Sequence, residues 1–149
     1  MISRAVDDVA SILEAKGSDV LRIDGSATVL DAIKRMVEAN VGSLLVFEDG
    51  KLAGIVTERD YLRRVTLEGR DEKETPVREI MTAPLVYVTP DTTIEECMAV
   101  MTERRIRHLP VLTDDRDVAG IVSIGDVVKF QTKQQTAQIR LLTDYITSA

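Results

Sequence analysis

The chain has 149 residues, 44% apolar and 30% charged, and a net charge of −6. That length suits one ordinary domain or two small ones sharing a core, and the acidic balance argues against broad nucleic-acid binding, which needs a basic footprint. No apolar run approaches the roughly 18 residues of a membrane span, and a lone cysteine, Cys97, excludes an intrachain disulfide and a metal cluster built on cysteine.

The N-terminal stretch MISRAVDDVASILEAKG scatters acids among its apolar residues and does not read as a signal peptide. Together with the lone cysteine this fits a reducing cytoplasm. From roughly Ser3 to Ala15 the stripe Ala5, Val6, Val9, Ile12, Leu13 has helical spacing. Arg22 to Asp24 then reads as a short extended lead. Val29, Ala32, Ile33, Met36 and Val37 predict a helix over 28–39 with one buried face. Ser43 to Phe47 reads as a strand, Glu48-Asp49-Gly50-Lys51 as a turn carrying the Asp-Gly signal, and Leu52 to Thr57 as the returning strand. Asp60 to Val65 resumes a helix.

The same order then recurs. TVLDAIKRM at 28–36 matches TIEECMAVM at 93–101, and SLLVF at 43–47 matches HLPVL at 108–112, both offset by 65. LAGIVTERD at 52–60 matches VAGIVSIGD at 118–126, offset by 66, so one residue is inserted in the second hairpin turn, where insertions are tolerated. The second copy has a lead at Val86 to Thr89 and a helix whose apolar face holds Ile94, Cys97, Met98 and Met101. The fold class is α+β, with two β-α-β-β-α repeats packed with pseudo-twofold symmetry and a helix at either end. The boundaries are 1–17 for the N-terminal helix, 18–66 for repeat 1, 67–79 for a polar surface linker, 80–131 for repeat 2 and 132–149 for a C-terminal helix. In that last segment Ile139, Leu142, Tyr145 and Ile146 fall at similar spacing; the two end helices either cover the core or build a subunit contact.

Each repeat ends its second strand on a hydroxyl followed three residues later by a carboxylate: Thr57 and Asp60, Ser123 and Asp126. One reading is a capping box, in which hydroxyl and acid satisfy each other's backbone N–H at a helix start, contributing roughly 1 kcal/mol per helix. The other is a ligand site. A helix N-terminus offers unpaired N–H groups and a positive dipole end, which suit phosphate, and an ionised Asp accepts from the vicinal hydroxyls of a ribose. Gly54 and Gly120, which lead these strands, fit a backbone lying close to another group, by ligand approach or by tight packing. His108 is the lone histidine and makes a weak metal site; Cys97 falls on an apolar helix face, which favours burial over redox chemistry.

The repeat, the paired motifs and their order resemble the CBS domain family, named for cystathionine β-synthase. GIVTERDYLRRV, VREIMT, IRHLPV and GIVSIGDVV carry the resemblance, which covers roughly residues 18–130. It implies a stand-alone CBS pair, two repeats forming one module and modules pairing as homodimers. It also implies clefts between repeats that bind adenosine-containing ligands: AMP, ADP, ATP, S-adenosylmethionine or NAD(H), none as an obligatory cofactor. Carried over residue by residue, the ribose-binding acids are Asp60 and Asp126, and the phosphate-side hydroxyls are Thr57 and Ser123. The basic residues before the middle strand are Arg107 and His108 in the second copy, with Gly42 and Ser43 in their place in the first. Adenine-side backbone groups fall around Ile23, Ala27, Gly42 and Ser43, and around Val88 and Thr92. Gly25 departs from Pro90 at the matching position, and Arg59, Arg63 and Arg64 accompany Asp60, so the clefts are not equivalent: two competent clefts of unequal affinity are the preferred expectation, and a vacant cleft is the alternative.

The expected function is a non-enzymatic regulatory module that binds an adenine nucleotide and changes shape or affinity for an unidentified protein partner, with no nucleic acid or membrane as partner. The alternative is a ligand-free CBS scaffold for interaction and oligomerisation, in which the hydroxyl–carboxylate pairs are caps only. An enzyme lacks support: no nucleophile with a paired base, metal-ligand cluster or Walker-type phosphate loop is visible.

Overall fold

The computed structural model describes residues 7–147, with side chains as far as residue 143. Its elements in chain order are α1 (Val9–Lys16), β1 (Arg22–Asp24), α2 (Val29–Ala39), β2 (Ser43–Glu48), β3 (Lys51–Thr57), α3 (Glu58–Tyr61) running into a π-helical turn (Leu62–Thr66), a 3-10 turn (Val77–Glu79), α4 (Ile94–Arg104), β4 (His108–Leu112), β5 (Val118–Ser123) and α5 (Ile124–Thr147). The fold is α+β. The chain divides into two compact units: Asp19–Val86, and the residues up to Ser18 together with Tyr87 onward. Ala5 and Val6 of the expected N-terminal stripe, and the side chains of Tyr145 and Ile146, lie outside the described residues.

In the Asp19–Val86 unit, β1 runs parallel to β2, which pairs antiparallel with β3. The hairpin turn places Asp49 and Gly50 both at positive φ, as a two-residue type I′ turn requires. Thr28 caps α2 by accepting from the Asp31 amide, and Asn40 ends it in the left-handed conformation. The core joins Ile23 of β1, Val29, Ala32 and Met36 of α2, Leu44 and Val46 of β2, Val56 of β3, and Val65, Val77 and Ile80. Val37, expected on the buried face, is 74% exposed. It lies about 100° around the helix from Met36, on the edge of the stripe in the last turn. The linker lies largely at the surface, as expected, and is also pinned to the fold: Val29 N–H donates to Thr75 C=O and Leu30 N–H to Glu72 C=O, so residues 72–75 satisfy two orphan amides at the start of α2.

The second unit repeats the hairpin with β4 and β5. Its turn carries Arg116 at positive φ and closes through Arg116 N–H to Thr113 C=O. Thr93 and Glu96 form a complete capping box on α4, and Ile94, Cys97 and Met101 are buried. Burial pushes the Cys97 thiol up to about 11, so it stays protonated at neutral pH. The lead at Val86 to Thr89 is here a single parallel bridge, Val88 to Val111, rather than a strand. The reason is local. Gly25 N–H extends the first lead by donating to Phe47 C=O, and Pro90 at the matching place has no N–H to give. A Cβ on Gly25 would also lie 2.6 Å from the Glu48 carboxylate, which Arg78 holds.

Helix α1 caps itself through Asp8, whose carboxylate accepts from Ser11 N–H, and buries Val9 and Ile12. Helix α5 continues well past the repeat. Its Ile139 and Leu142 are 63% and 64% exposed, so this part of the tail covers no core within the chain. No helix among the described residues is long and apolar enough to cross a membrane.

Candidate functional site

Strand β3 delivers Thr57 in extended conformation to the start of α3, and the cap closes in both directions. Thr57 Oγ1 accepts from Asp60 N–H at 3.2 Å, while Asp60 Oδ2 accepts from Thr57 N–H at 2.9 Å and from Thr57 Oγ1 at 3.1 Å. The other carboxylate oxygen, Oδ1, accepts from the Thr82 hydroxyl at 3.1 Å. Asp60 is buried. Strand β5 delivers Ser123 to α5 in the same way: Ser123 Oγ accepts from Asp126 N–H at 3.1 Å, and Asp126 Oδ2 accepts from Ser123 N–H at 2.9 Å. Here the additional partner is a cation. Lys16 Nζ, from the last turn of α1, lies 2.6 Å from Asp126 Oδ2 and also donates to Ile121 C=O at 2.7 Å.

The residue before each middle strand completes the turn. Gly42 C=O accepts from Glu58 N–H, and Arg107 C=O from Ile124 N–H. Ser43 stands opposite Thr57 in the β2–β3 register and His108 opposite Ser123 in β4–β5. Within each unit, therefore, the hydroxyl, the carboxylate and the residues before the middle strand come together at one sheet end. The expected adenine-side positions are structurally engaged as well. Ala27 C=O accepts from Val77 N–H, Thr92 C=O from Val9 N–H, and Val88 exchanges hydrogen bonds with Pro110 and Leu112. Ile23 is buried within β1. A carbonyl keeps a second lone pair for a ligand donor, but each of these groups already has a partner in the fold.

The carboxylates differ in what they leave open. A carboxylate has about four acceptor positions. Asp60 has donors on both oxygens. Asp126 has both of its donors on Oδ2, with none on Oδ1 among the described residues. Burial opposes ionisation of Asp126, yet the Lys16 hydrogen bond, the Ser123 amide and the Lys16 charge together hold its pKa below the usual carboxylate value. A folded-state pKa below the unfolded one stabilises the fold above the unfolded pKa of about 3.9, and the contribution is lost as pH falls through the folded value. Lys16→Met is thus expected to lower the urea midpoint at pH 7, with the gap from the unsubstituted protein closing below about pH 4. A gap of equal size at pH 3 would mean that the pair does not carry this stability.

Gly54 and Gly120 explain how those second partners arrive. A Cβ on Gly54 would sit 2.7 Å from the Thr82 carbonyl oxygen, and one on Gly120 would sit 2.7 Å from Leu13 Cδ2. In each repeat the segment lying against the strand glycine also supplies the group that meets the Asp: the 80–82 segment gives Thr82, and α1 gives Lys16. These leaders are held alike. Val77 and Arg78 donate to Ala27 and Gly25, as Val9 and Ala10 donate to Thr92 and Pro90. Gly54→Ala, which meets backbone, is expected to cost roughly 1–3 kcal/mol of stability by denaturant unfolding. Gly120→Ala, which meets the movable tip of Leu13, should cost less; the reverse order would contradict these contacts.

Sequence reasoning placed α1 outside the repeats and residues 80–82 within repeat 2, and so missed Lys16 and Thr82 as partners of these carboxylates. The one signal was the strand glycines, which require a close neighbour without naming it. Among the described residues no group of three His, Cys, Asp or Glu side chains is placed to hold a metal ion.

Two repeats with this hairpin, this cap and this order of motifs define a CBS pair. The family profile described as CBS domain matches residues 6–66 and 77–133, and the chain belongs to that family. It is 41% identical over 150 residues to the CBS domain-containing protein CBSX3, mitochondrial, of Arabidopsis thaliana, covering 93% of this chain and 71% of that one. Among solved structures it resembles a protein with CBS domains from Burkholderia ambifaria MC40-6, named for a suggested role in signal transduction. That match has a TM-score of 0.82 and 50% identity, covering 86% of this chain and 96% of the other. A hexameric CBS-CP12 protein from bloom-forming cyanobacteria matches with a TM-score of 0.75 and 34% identity, covering 85% of this chain and 72% of the other. The family boundaries and the compact units do not coincide. Residues 7–18 fall at the start of the first family match but belong to the unit holding the body of the second, while residues 77–86 open the second match and belong to the unit holding the body of the first. The repeats exchange their leaders.

Proposed function

We propose that this chain is a non-enzymatic regulatory module that binds an adenosine-containing nucleotide (AMP, ADP, ATP or NAD(H)) through Asp60 and Asp126. The observation that carries this reading is the duplicated carboxylate at a helix start, with Oδ1 of Asp126 open to a ribose hydroxyl. Thr57 and Ser123 stand on the phosphate side, with Arg107 adding positive charge and His108 next to it in the second repeat. Ile23, Ala27, Gly42, Ser43, Val88 and Thr92 contribute backbone groups to the adenine side. A ligand acts by favouring one arrangement of the chain over another, to the extent of its differential affinity for them. The state that responds is a homodimer, the hexameric relative supporting oligomerisation alone, and the regulated partner is a protein. A reducing compartment, the cytoplasm by preference, suits the buried Cys97, although the plant relative is named mitochondrial.

A thermal-shift panel of AMP, ADP, ATP, NAD, NADH and S-adenosylmethionine tests the reading. A ligand at about 100 times its Kd adds about 2.7 kcal/mol. A flat response to all six would reject it.

The second reading is a ligand-free interaction scaffold. It is favoured by the complete capping geometry at both Asp60 and Asp126, which accounts for these residues without a ligand. On this reading their removal costs stability and leaves nucleotide response absent from the start.

A further inference from the structure

Helices α1 and α5 run antiparallel. Lys16 at the end of α1 meets Asp126 in the first turn of α5, and Asp7 just before α1 accepts from the Gln134 side chain further along it. A shallow groove, open to solvent, lies along this pair. Ile12 and Phe130 give it apolar walls, and its charged lining is Lys16, Lys129, Lys133 and Asp126. Lys129 and Lys133 are four residues apart on one helical face, where like charges destabilise a helix. Neither forms an ion pair among the described residues; the one ion pair in the groove is Lys16 with Asp126. Three cations against one anion leave this groove positive in a chain whose net charge is −6. An ammonium has three N–H donors, and Lys16 spends two of them on Asp126 and Ile121, which leaves one for an outside acceptor.

Resting on the reading that Asp126 holds a ribose, we propose that this groove is a polyphosphate subsite, so that the second repeat selects nucleoside di- and triphosphates over monophosphates. Lys16 fixes the Asp126 carboxylate through Oδ2, leaves Oδ1 to the sugar and offers its remaining N–H to a phosphate oxygen; Lys129 and Lys133 neutralise the distal phosphates. The first repeat keeps only part of this provision, one of the two helix cations. Its Asp60 is met by the neutral hydroxyl of Thr82, and the positions matching Lys129 and Lys133 at the offset of 66 are Arg63 and Leu67. Of the nearby cations, Arg64 is committed to the Ile80 and Met81 carbonyls.

The test is calorimetric titration of AMP and ATP into the full chain carrying Asp60→Ala, which leaves the Asp126 site alone, with and without Lys129→Gln/Lys133→Gln. The expected result is ATP binding at least about tenfold tighter than AMP, falling to within about threefold in the lysine variant while AMP affinity holds, since each distal phosphate loses a charge-assisted contact. Inorganic tripolyphosphate serves as a second probe on the otherwise unsubstituted chain: it should bind, and bind at least about tenfold more weakly in the lysine variant. Lys129→Arg/Lys133→Arg should retain the preference and controls for folding. An ATP preference that survives Lys129→Gln/Lys133→Gln, or no preference at the outset, overturns the subsite, as does tripolyphosphate binding that the variant leaves intact. If tripolyphosphate binds through these lysines while neither nucleotide binds, the anion site stands and the ribose assignment to Asp126 fails instead.

Discussion

Asp126→Ala is expected to weaken adenine-nucleotide binding at the second repeat by roughly tenfold to 150-fold for each ribose hydrogen bond lost, because a hydrogen bond to a charged carboxylate contributes roughly 1.5–3 kcal/mol. Asp60→Ala should do the same at the first repeat, measured by titration with the nucleotide that emerges from the thermal-shift panel. The two variants should diverge in stability. Removing Asp60 strands the Thr57 amide and the Thr82 hydroxyl in a buried setting, where an unsatisfied group costs roughly 1–3 kcal/mol. Removing Asp126 leaves the Ser123 amide and Lys16 nearer solvent, since the Asp126 side chain is 22% exposed and that of Lys16 35%. Asp126→Ala is therefore the cleaner probe of binding and Asp60→Ala the harsher change to the fold. Unchanged affinity in both would reject the assignment, and loss of stability without any nucleotide response in the unsubstituted chain would select the scaffold reading.

Leu44→Ala and Leu109→Ala are expected to destabilise the protein by roughly 2–5 kcal/mol each, equivalent to roughly 5–15 °C in Tm for a chain of this size. Both side chains are fully buried, Leu44 near the start of β2 and Leu109 at the matching place in β4. With aromatics at 3% of the chain, no large ring stands ready to fill the vacated volume, and the aliphatic neighbours relax only in part. Denaturant unfolding with an unchanged slope would report stability alone. A loss under about 1 kcal/mol at both sites would mean that the strands repack more freely than a close-packed interior allows.

What the sequence made legible were local features and their recurrence. The Asp49-Gly50 turn and both hydroxyl–carboxylate pairs depend on neighbours within four residues, so spacing alone revealed them. Chain-distant partners were not legible. Lys16 lies 110 positions from Asp126, and nothing in helical periodicity says which strand α1 covers. The end of α2 at Ala39 was legible from the apolar spacing, but the left-handed caps Asn40 and Arg105 were not, since glycine is the usual residue there. The polar composition of the linker marked a surface segment, as the structure has it, but not the backbone bonds by which it holds the start of α2, which composition does not encode. Val37 is an error of the apolar stripe, since an apolar residue at its margin need not be covered.

The exchange of leaders bears on how such a chain can be divided or inherited. A fragment cut between Glu68 and Glu72 would hold one complete hairpin but the wrong edge piece, with its own strand glycine facing water and the matching segment carried off on the other fragment. Neither half is a minimal folding cassette. Recombination or truncation that preserves a single copy should yield an insoluble or unfolded product, whereas co-expressed halves have the means to restore each other. The heritable building block is accordingly the tandem pair.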